Sequence, residues 1–379
     1  MRSDGLKILY VYSFTPTTSF TIVSKKHIEY MRKLGLAHVD ELSMNAFPLF
    51  KSSSRYVAVI HPFLFTWTKT VSLFEQALPD DRKHMLRSMV EELKSRYEKI
   101  VGIYVCDTDA LSREAVNVLN EADVLVVPSE FCVDVYRRCG VSKPVYRVPH
   151  GVDSTWYTAI SVWEDTLTVG LTPALMRLRQ YKLRTGKKLL LWWFWHSWLR
   201  KGGPWVKAVY ERLIKRRSDV KLVVKTNEYE MPELTNLMGL GIVQIYGWLT
   251  EREKMALYDL ADVTLMFSVG GAFELNGLES LARGVPAVAV DWGPWTEYIP
   301  PFLRVKPGER VRPLPDNNVH IGYGYAVDVE DAVAKIEDIL DNYYEYRARV
   351  DEWRWKVLYP QYRWDVVVKQ LVSVISVKI

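Results

Sequence analysis

The chain is predicted to be an α/β protein built on two doubly wound parallel sheets. Short β-branched or aromatic runs alternate with segments of helical period from end to end, the pattern of parallel strands joined by crossover helices. That rhythm lapses between Ser154 and Lys188 and then resumes, which marks a junction. The 379 residues also exceed what one ordinary domain takes, roughly 100 to 200 residues. The expected boundaries are a first domain over 1–155, a linker over 156–186, a second domain over 187–359 and a closing segment over 360–379.

In the first half, strands are expected at Ile8 to Tyr12, Val57 to Ile60, Ile100 to Cys106, Val124 to Pro128 and Val145 to Val148. Ser24 to Leu34 places Ile28, Met31 and Leu34 on one face and stops at Gly35, a residue suited to closing a helix. Arg82 to Lys99 reads as one long helix with Met85, Leu86, Met89, Val90 and Leu93 turned inward. In the second half, strands are expected at Leu189 to Phe194, Val220 to Lys225, Val243 to Tyr246, Val263 to Phe267 and Ala287 to Val290. One helix starts at Pro204, because proline suits a first turn, and another at Thr250, whose spacing to Glu253 fits a capping box. Val327 to Tyr344 and Trp364 to Val374 read as the last helices.

Composition narrows the function. Apolar residues at 49% and charged residues at 25% exclude a disordered or fibrous chain. The 50 Lys+Arg against 45 Asp+Glu leave a formal charge of +5, which suits anionic ligands without demanding them. Without a basic tract, a zinc finger or an RNA-binding motif, nucleic acid is not an expected partner. The three cysteines form no C-x-x-C pair, so a reducing compartment is expected and a zinc site is not. The N-terminus has no apolar signal core, and the longest apolar run, Leu189 to Trp195, falls short of the roughly 20 residues that span a bilayer. A cytoplasmic location is expected, with Lys25 and Lys26 admitting peripheral contact at the inner face of a membrane. Of 14 tryptophans, five crowd between Trp192 and Trp205, which suits either core packing or a surface for sugar or interface.

The stretch Ser268 to Glu297 carries the strongest chemical signal. A strand ends at Phe267, Gly270 and Gly271 follow, and a helix opens near Phe273 or Glu274 and stops at Gly284. A glycine turn leading into a helix lets a diphosphate approach bare backbone N–H groups at the positive helix end. Glu279, about one turn further on, is placed to accept hydrogen bonds from ribose hydroxyls. Arg200, Lys201 and Gly202 lie between a strand and a helix start, where two cations oppose the helix dipole unless an anion joins them. Asp107 and Asp109 close the strand from Ile100, at the carboxyl edge where open parallel sheets bind ligands.

Thr250 to Glu297 resembles the donor-binding half of retaining glycosyltransferases of the GT-B fold, in particular glycosyltransferase family 4. Glu279 followed by SLARGVP matches the second half of that family's paired-glutamate motif. The first glutamate would fall at Gly271, and the chain offers Glu274 instead. Ala122 to Glu130 (ADVLVVPSE) and Val148 to Asp153 (VPHGVD) are similar to the end of the family's first domain. The resemblance implies two Rossmann-like domains facing across a cleft, with the last helix returning to the first domain. It implies a nucleotide-diphosphate sugar as donor and co-substrate, with no metal or other cofactor. The acceptor would be carbohydrate, lipid-linked or protein-linked. Lys201 matches the family's diphosphate-binding lysine, His196 stands where its arginine is usual, and Arg200 is the replacement. Gly270, Gly271, Ala272, Phe273 and Leu275 would lie along the donor, and Glu274 would meet its sugar. Asp109, or else Asp107, would contact sugar hydroxyls, with His150 at the hinge. The glycines usual before the first helix are replaced by Thr17, Thr18 and Ser19. Two other outcomes share this fold: a nucleotide-sugar 2-epimerase, and a catalytically inactive scaffold.

Overall fold

The computed structural model describes residues 5–15, 18–52, 55–159, 161–163, 171–229 and 231–378. The chain divides into two compact units. Unit 1 comprises Met1–His150, Asn318–His320 and Trp364–Ile379, and unit 2 comprises Gly151–Asn317 and Ile321–Arg363.

Unit 1 is a parallel sheet of β1 (Lys7–Tyr12), β2 (His38–Ser43), β3 (Val57–His61), β4 (Lys99–Ile103), β5 (Val124–Val127) and β6 (Val145–Arg147), in the order β2-β1-β3-β4-β5-β6. The strands β3, β4 and β5 are buried along their whole length, as expected of a sheet covered on both faces. Its helices are α1 (Ser19–Lys33), α2 (Phe63–Ala77), α3 (Leu86–Ser95), α4 (Arg113–Leu119) and α5 (Glu130–Arg138). Helix α1 begins five residues before the expected Ser24, because the Thr18 side chain accepts the Thr21 N–H and caps it there. Thr17 lies outside the described residues.

Three expectations for this unit need correction. The long helix over Arg82 to Lys99 is instead a 3-10 turn at Asp80–Met85 followed by the shorter α3. Leu93 is its one fully buried residue and Met85 is 43% exposed, so most of the predicted apolar face has no core to meet. The strand expected to reach Cys106 stops pairing at Ile103. Strand β2 and helix α2 were not expected: HVDELS is an edge strand with one buried residue, and FLFTWTKTVSLFEQA has a strand-like aromatic and β-branched composition. Helix α2 forms because Phe63, Trp67, Thr70 and Phe74 recur on one buried face.

Unit 2 holds β7 (Lys188–Trp193), β8 (Val220–Lys225), β9 (Val243–Ile245), β10 (Val263–Met266), β11 (Ala287–Val290) and β12 (Arg304–Val305) in the order β12-β11-β10-β7-β8-β9. Every pair in this sheet is parallel. The chain winds outward from β7 in one direction and from β10 in the other, so the carboxyl ends of these two strands form the crevice where doubly wound sheets bind ligands. Its helices are α6 (Thr155–Thr158), α7 (Pro173–Thr185), α8 (Gly203–Arg216), α9 (Thr235–Met238), α10 (Glu251–Leu260), α11 (Leu275–Ala282), α12 (Val329–Asp341), α13 (Tyr343–Trp353) and α14 (Tyr359–Gln361). An antiparallel pair, β13 (Pro307–Val311) and β14 (Gly324–Val327), follows the sheet. The segment expected as a linker contains α7, whose Leu175 and Leu178 are buried in the core of unit 2, while Lys182 donates to Asp262 at 2.7 Å.

The last helix, α15 (Trp364–Ile375), belongs to unit 1. It buries Trp364, Val367, Val368, Leu371 and Ile375, and the Trp364 ring meets His27 of α1 edge-on at 5.6 Å. Among the described residues, no helix is long and apolar enough to cross a membrane.

Candidate active site

In unit 2 the loop after β7 and the loop after β10 converge. The Val269 N–H donates to the Arg200 carbonyl at 2.8 Å, and a Cβ on Gly202 would stand 2.0 Å from the Phe267 carbonyl oxygen. Gly202 is also left-handed, with φ of 79°, so glycine is required there on both counts. This close seam holds Arg200 and Lys201 against the turn that opens α11.

Glu274 is the centre of that turn. It caps α11 in the left-handed region, with φ of 67°, a conformation costly for a residue with a Cβ. Its carboxylate accepts from the Lys201 ammonium with both oxygens, each at 2.7 Å, and lies 3.9 Å from the Arg200 guanidinium. The Glu274 side chain is 6% exposed. A Cβ on Gly271 would come within 2.7 Å of Glu274 Oε1, so glycine at 271 makes room for this carboxylate. The buried Tyr298 hydroxyl lies 2.6 Å from the Glu274 carbonyl and 2.7 Å from that of Phe273, bracing the strained turn. Strained, over-determined residues of this kind gather at functional sites.

Glu279, on α11, sits in a second ionic group. Its Oε2 accepts from the Tyr258 hydroxyl at 2.8 Å and its Oε1 from Lys254 at 3.3 Å. Burial pushes the Glu279 carboxyl up, against the pull of Lys254 and Tyr258. Burial works against the Lys254 charge, but Glu279 and Glu251 outweigh it and hold the ammonium protonated. Lys254, Tyr258 and Tyr298 escaped the sequence reading. The first two lie four residues apart on α10, on the turn that the capping box at Thr250 starts.

Other expected residues fall nearby in the chain with different surroundings. His196 is exposed, and its Nδ1 lies 2.6 Å from the Ser197 hydroxyl. Ser197 is the other non-glycine residue with positive φ among those described, at 62°. Of the tryptophans, Trp192 and Trp205 are buried, Trp198 packs its ring where a Cβ on Gly203 would stand, and Trp195 is 38% exposed, edge-on to Trp248. Core packing therefore accounts for most of the cluster.

In unit 1, Asp107 and Asp109 lie beyond the end of β4, and the Asp107 N–H donates to His320 Nδ1 at 3.3 Å. His320 also stacks on Tyr104 with ring centroids 5.9 Å apart, in the short segment 318–320 that the chain returns to this unit. No local pattern in the sequence announces that return. His150 joins His27, His61 and Trp364 in a buried aromatic group. His27 Nδ1 lies 2.8 Å from the Tyr10 hydroxyl, and His61 Nδ1 lies 2.9 Å from that of Ser24. Burial pushes His27 down to about 3, His150 down to about 4, and His61 well below its ordinary value. Among the described residues, no group of three or more His, Cys, Asp or Glu side chains could hold a metal ion.

The two six-stranded parallel sheets, each wound with its own helices, have the GT-B fold. Residues 195–310, which contain Arg200, Lys201, Glu274 and Glu279, match the family model described as "Glycosyl transferases group 1". A Sulfolobus islandicus rod-shaped virus 1 protein named "Uncharacterized protein 356" is 27% identical over 97% of this chain and 98% of its own. "Putative glycosyltransferase 45" of a Sulfolobus islandicus filamentous virus is 24% identical over 67% of each chain. Among solved structures, an α,α-trehalose-phosphate synthase (UDP-forming) from Burkholderia xenovorans, in complex with glucose-6-phosphate, superposes with a TM-score of 0.65 at 10% identity. That match covers 98% of this chain and 100% of the other, and it shows the shared fold.

Proposed function

We propose that the chain is a retaining, family 4-like hexosyltransferase that moves a sugar from a nucleotide-diphosphate sugar to an acceptor hydroxyl. The observation that carries this is the buried Arg200–Lys201–Glu274 group at the crevice between β7 and β10. Two cations held there by the fold suit a diphosphate, and the Glu274 carboxylate accepts from the lysine. As the bond from the anomeric carbon to the diphosphate oxygen breaks, Arg200 and Lys201 stabilise the growing negative charge. The acceptor hydroxyl forms the new bond on the same face and passes its proton to the departing oxygen. No enzyme nucleophile is needed in this scheme, and the fixed cations supply the charge that a metal would otherwise bring.

Glu279 would hold the ribose, with the loop Gly270, Gly271, Ala272, Phe273 and Leu275 along the donor. Asp109, Asp107 and His150 would lie toward sugar and acceptor. The proposed setting is the cytoplasm, with or without contact at the inner face of a membrane. The test is transfer from UDP-, GDP- and ADP-sugars by wild type and by folded Lys201→Ala and Glu279→Ala variants, with nucleotide binding followed as a thermal shift. Both variants should lose transfer and the shift. Full activity in either one overturns the assignment of that residue, and epimer formed from donor alone overturns the transferase.

A further inference from the structure

At the amino edge of the unit 2 sheet, opposite the crevice, cations outnumber the carboxylates that answer them. Lys182 of α7 and Lys188, which starts β7, both meet Asp262, just before β10, at 2.7 and 3.9 Å. Arg354, directly after α13, pairs with Asp351 at 2.6 Å. Arg347, on α13, is half-buried and has no carboxylate at ion-pair distance among the described residues. The Tyr343 ring lies 6.0 Å from the Arg347 guanidinium carbon and 4.9 Å from the Lys188 ammonium, so it joins these cations into one group. Lys182, Lys188, Arg347 and Arg354 thus have two carboxylates, Asp262 and Asp351, among them.

Gly284 marks where the two arginines meet. A Cβ at this left-handed glycine would stand 3.5 Å from Arg354 Nη1 and 3.7 Å from Arg347 Nη2, so both guanidinium groups border one small space. Cations often gather at a helix C-terminus to satisfy its last carbonyls, and α11 ends here. That need is already met. The carbonyls of Glu279, Ser280 and Leu281 accept from the N–H groups of Arg283, Val285 and Gly284, and that of Ala282 from Arg354 Nη1 at 3.0 Å. Arg347 therefore caps nothing and brings repulsion. Burial pushes the Arg354 guanidinium down, with Arg283 and Arg347 adding to it against Asp351. Burial likewise pushes Lys182 down, with Lys188 and Arg347 adding to it against Asp262. Arg354 Nε is buried with no hydrogen-bond partner among the described residues, a cost that an anion would recover.

We propose that Arg347 and Arg354, with Lys188 beside them, bind a phosphate dianion over Gly284, either free or as the phosphoryl group of a small metabolite. Two guanidinium groups offer paired N–H donors that match the oxygens of a phosphate. Its two negative charges equal the local surplus of cations, and a shared anion turns the repulsion between the arginines into attraction. The site is separate from the Arg200–Lys201–Glu274 group, which lies at the carboxyl edge of the same sheet. It stands whether or not the transferase reading holds.

The test is equilibrium dialysis of the full chain against radiolabelled inorganic phosphate at fixed ionic strength and about pH 8, where phosphate is mostly a dianion. Wild type should bind with a Kd of about 1 mM or tighter. Arg347→Gln should weaken this at least about tenfold, and Arg347→Lys should restore part of it, because it keeps the charge and loses the fork. Lys188→Gln, at a partly exposed side chain, is an independent second variant and should also weaken binding. Arg349→Gln removes a neighbouring charge on α13, one that stacks on Phe302 at 4.0 Å, and should change nothing. The crevice variant Lys201→Met with Glu274→Gln should keep the binding that Arg347→Gln loses. No phosphate bound by wild type, unchanged binding in Arg347→Gln or in Lys188→Gln, or loss of this binding in the crevice variant would each overturn the inference. Glycerol 3-phosphate in a parallel dialysis separates the two sources: tighter binding than phosphate supports a phosphorylated metabolite at this site, and weaker binding supports the free ion there.

Discussion

Glu274 shows how one residue can tie stability to activity. Removing Lys201 leaves a carboxylate that is 6% exposed with Arg200, at 3.9 Å, as its remaining ion-pair partner among the described residues. Lys201→Ala should therefore destabilise unit 2 by about 3 kcal/mol, read as a lower denaturation midpoint. Lys201→Met combined with Glu274→Gln removes both charges and should recover most of that loss while transfer stays absent. If the double variant is no more stable than the single one, the buried charge is not the cause. Ser197 offers the opposite case. Glycine there should relieve the left-handed backbone at φ 62° and raise stability by about 1 kcal/mol in thermal melts. At this scale the sequence was informative about residue types and less so about contacts. Arg200, Lys201, Glu274 and Glu279 could be picked out, but Lys254 and Tyr298 could not, because their partners lie 25 and 24 residues away.

Among the elements, α10 was legible down to its cap. Thr250 accepts the Glu253 N–H at 3.3 Å, and the Glu253 carboxylate accepts the Thr250 N–H at 2.9 Å. Thr250→Ala should cost about 1 kcal/mol in a chemical denaturation series. It should also weaken nucleotide binding, because Lys254 and Tyr258 ride on the same helix. Unchanged binding at reduced stability would separate α10 from the site. Central strands such as β3, with Val57 to Ile60, and β11 were legible because burial on both faces writes itself as an unbroken apolar run. Edge strand β2 was not, because His38, Asp40 and Glu41 remain in contact with solvent. Helix α2 was hidden by residues that favour strands in isolation and are overridden by tertiary packing.

For the molecule as a whole, pH is the informative variable. His27, His61 and His150 all belong to unit 1, and all are pushed below their ordinary values by burial. Below the unfolded value of about 6.5 the unfolded chain binds more protons than the folded one, so stability falls as pH falls. The loss is up to about 1.4 kcal/mol per histidine per pH unit, down to the folded values of about 3 for His27 and about 4 for His150. Urea midpoints should drop between pH 7 and pH 5, and His27→Gln should flatten the slope. A slope unaffected by that substitution would remove His27 from the account.

Unit 1 also has a history written into its chain order. Residues 1–150 are made before unit 2, but α15, which covers His27 and whose following Val377 carbonyl accepts from Lys99 at 2.6 Å, is made after it. A nascent chain stopped before Trp364 would hold its first sheet without that cover. Synthesis therefore builds unit 2 while the earlier unit still waits to close, and fragments cut between the two should not reproduce the first unit's stability.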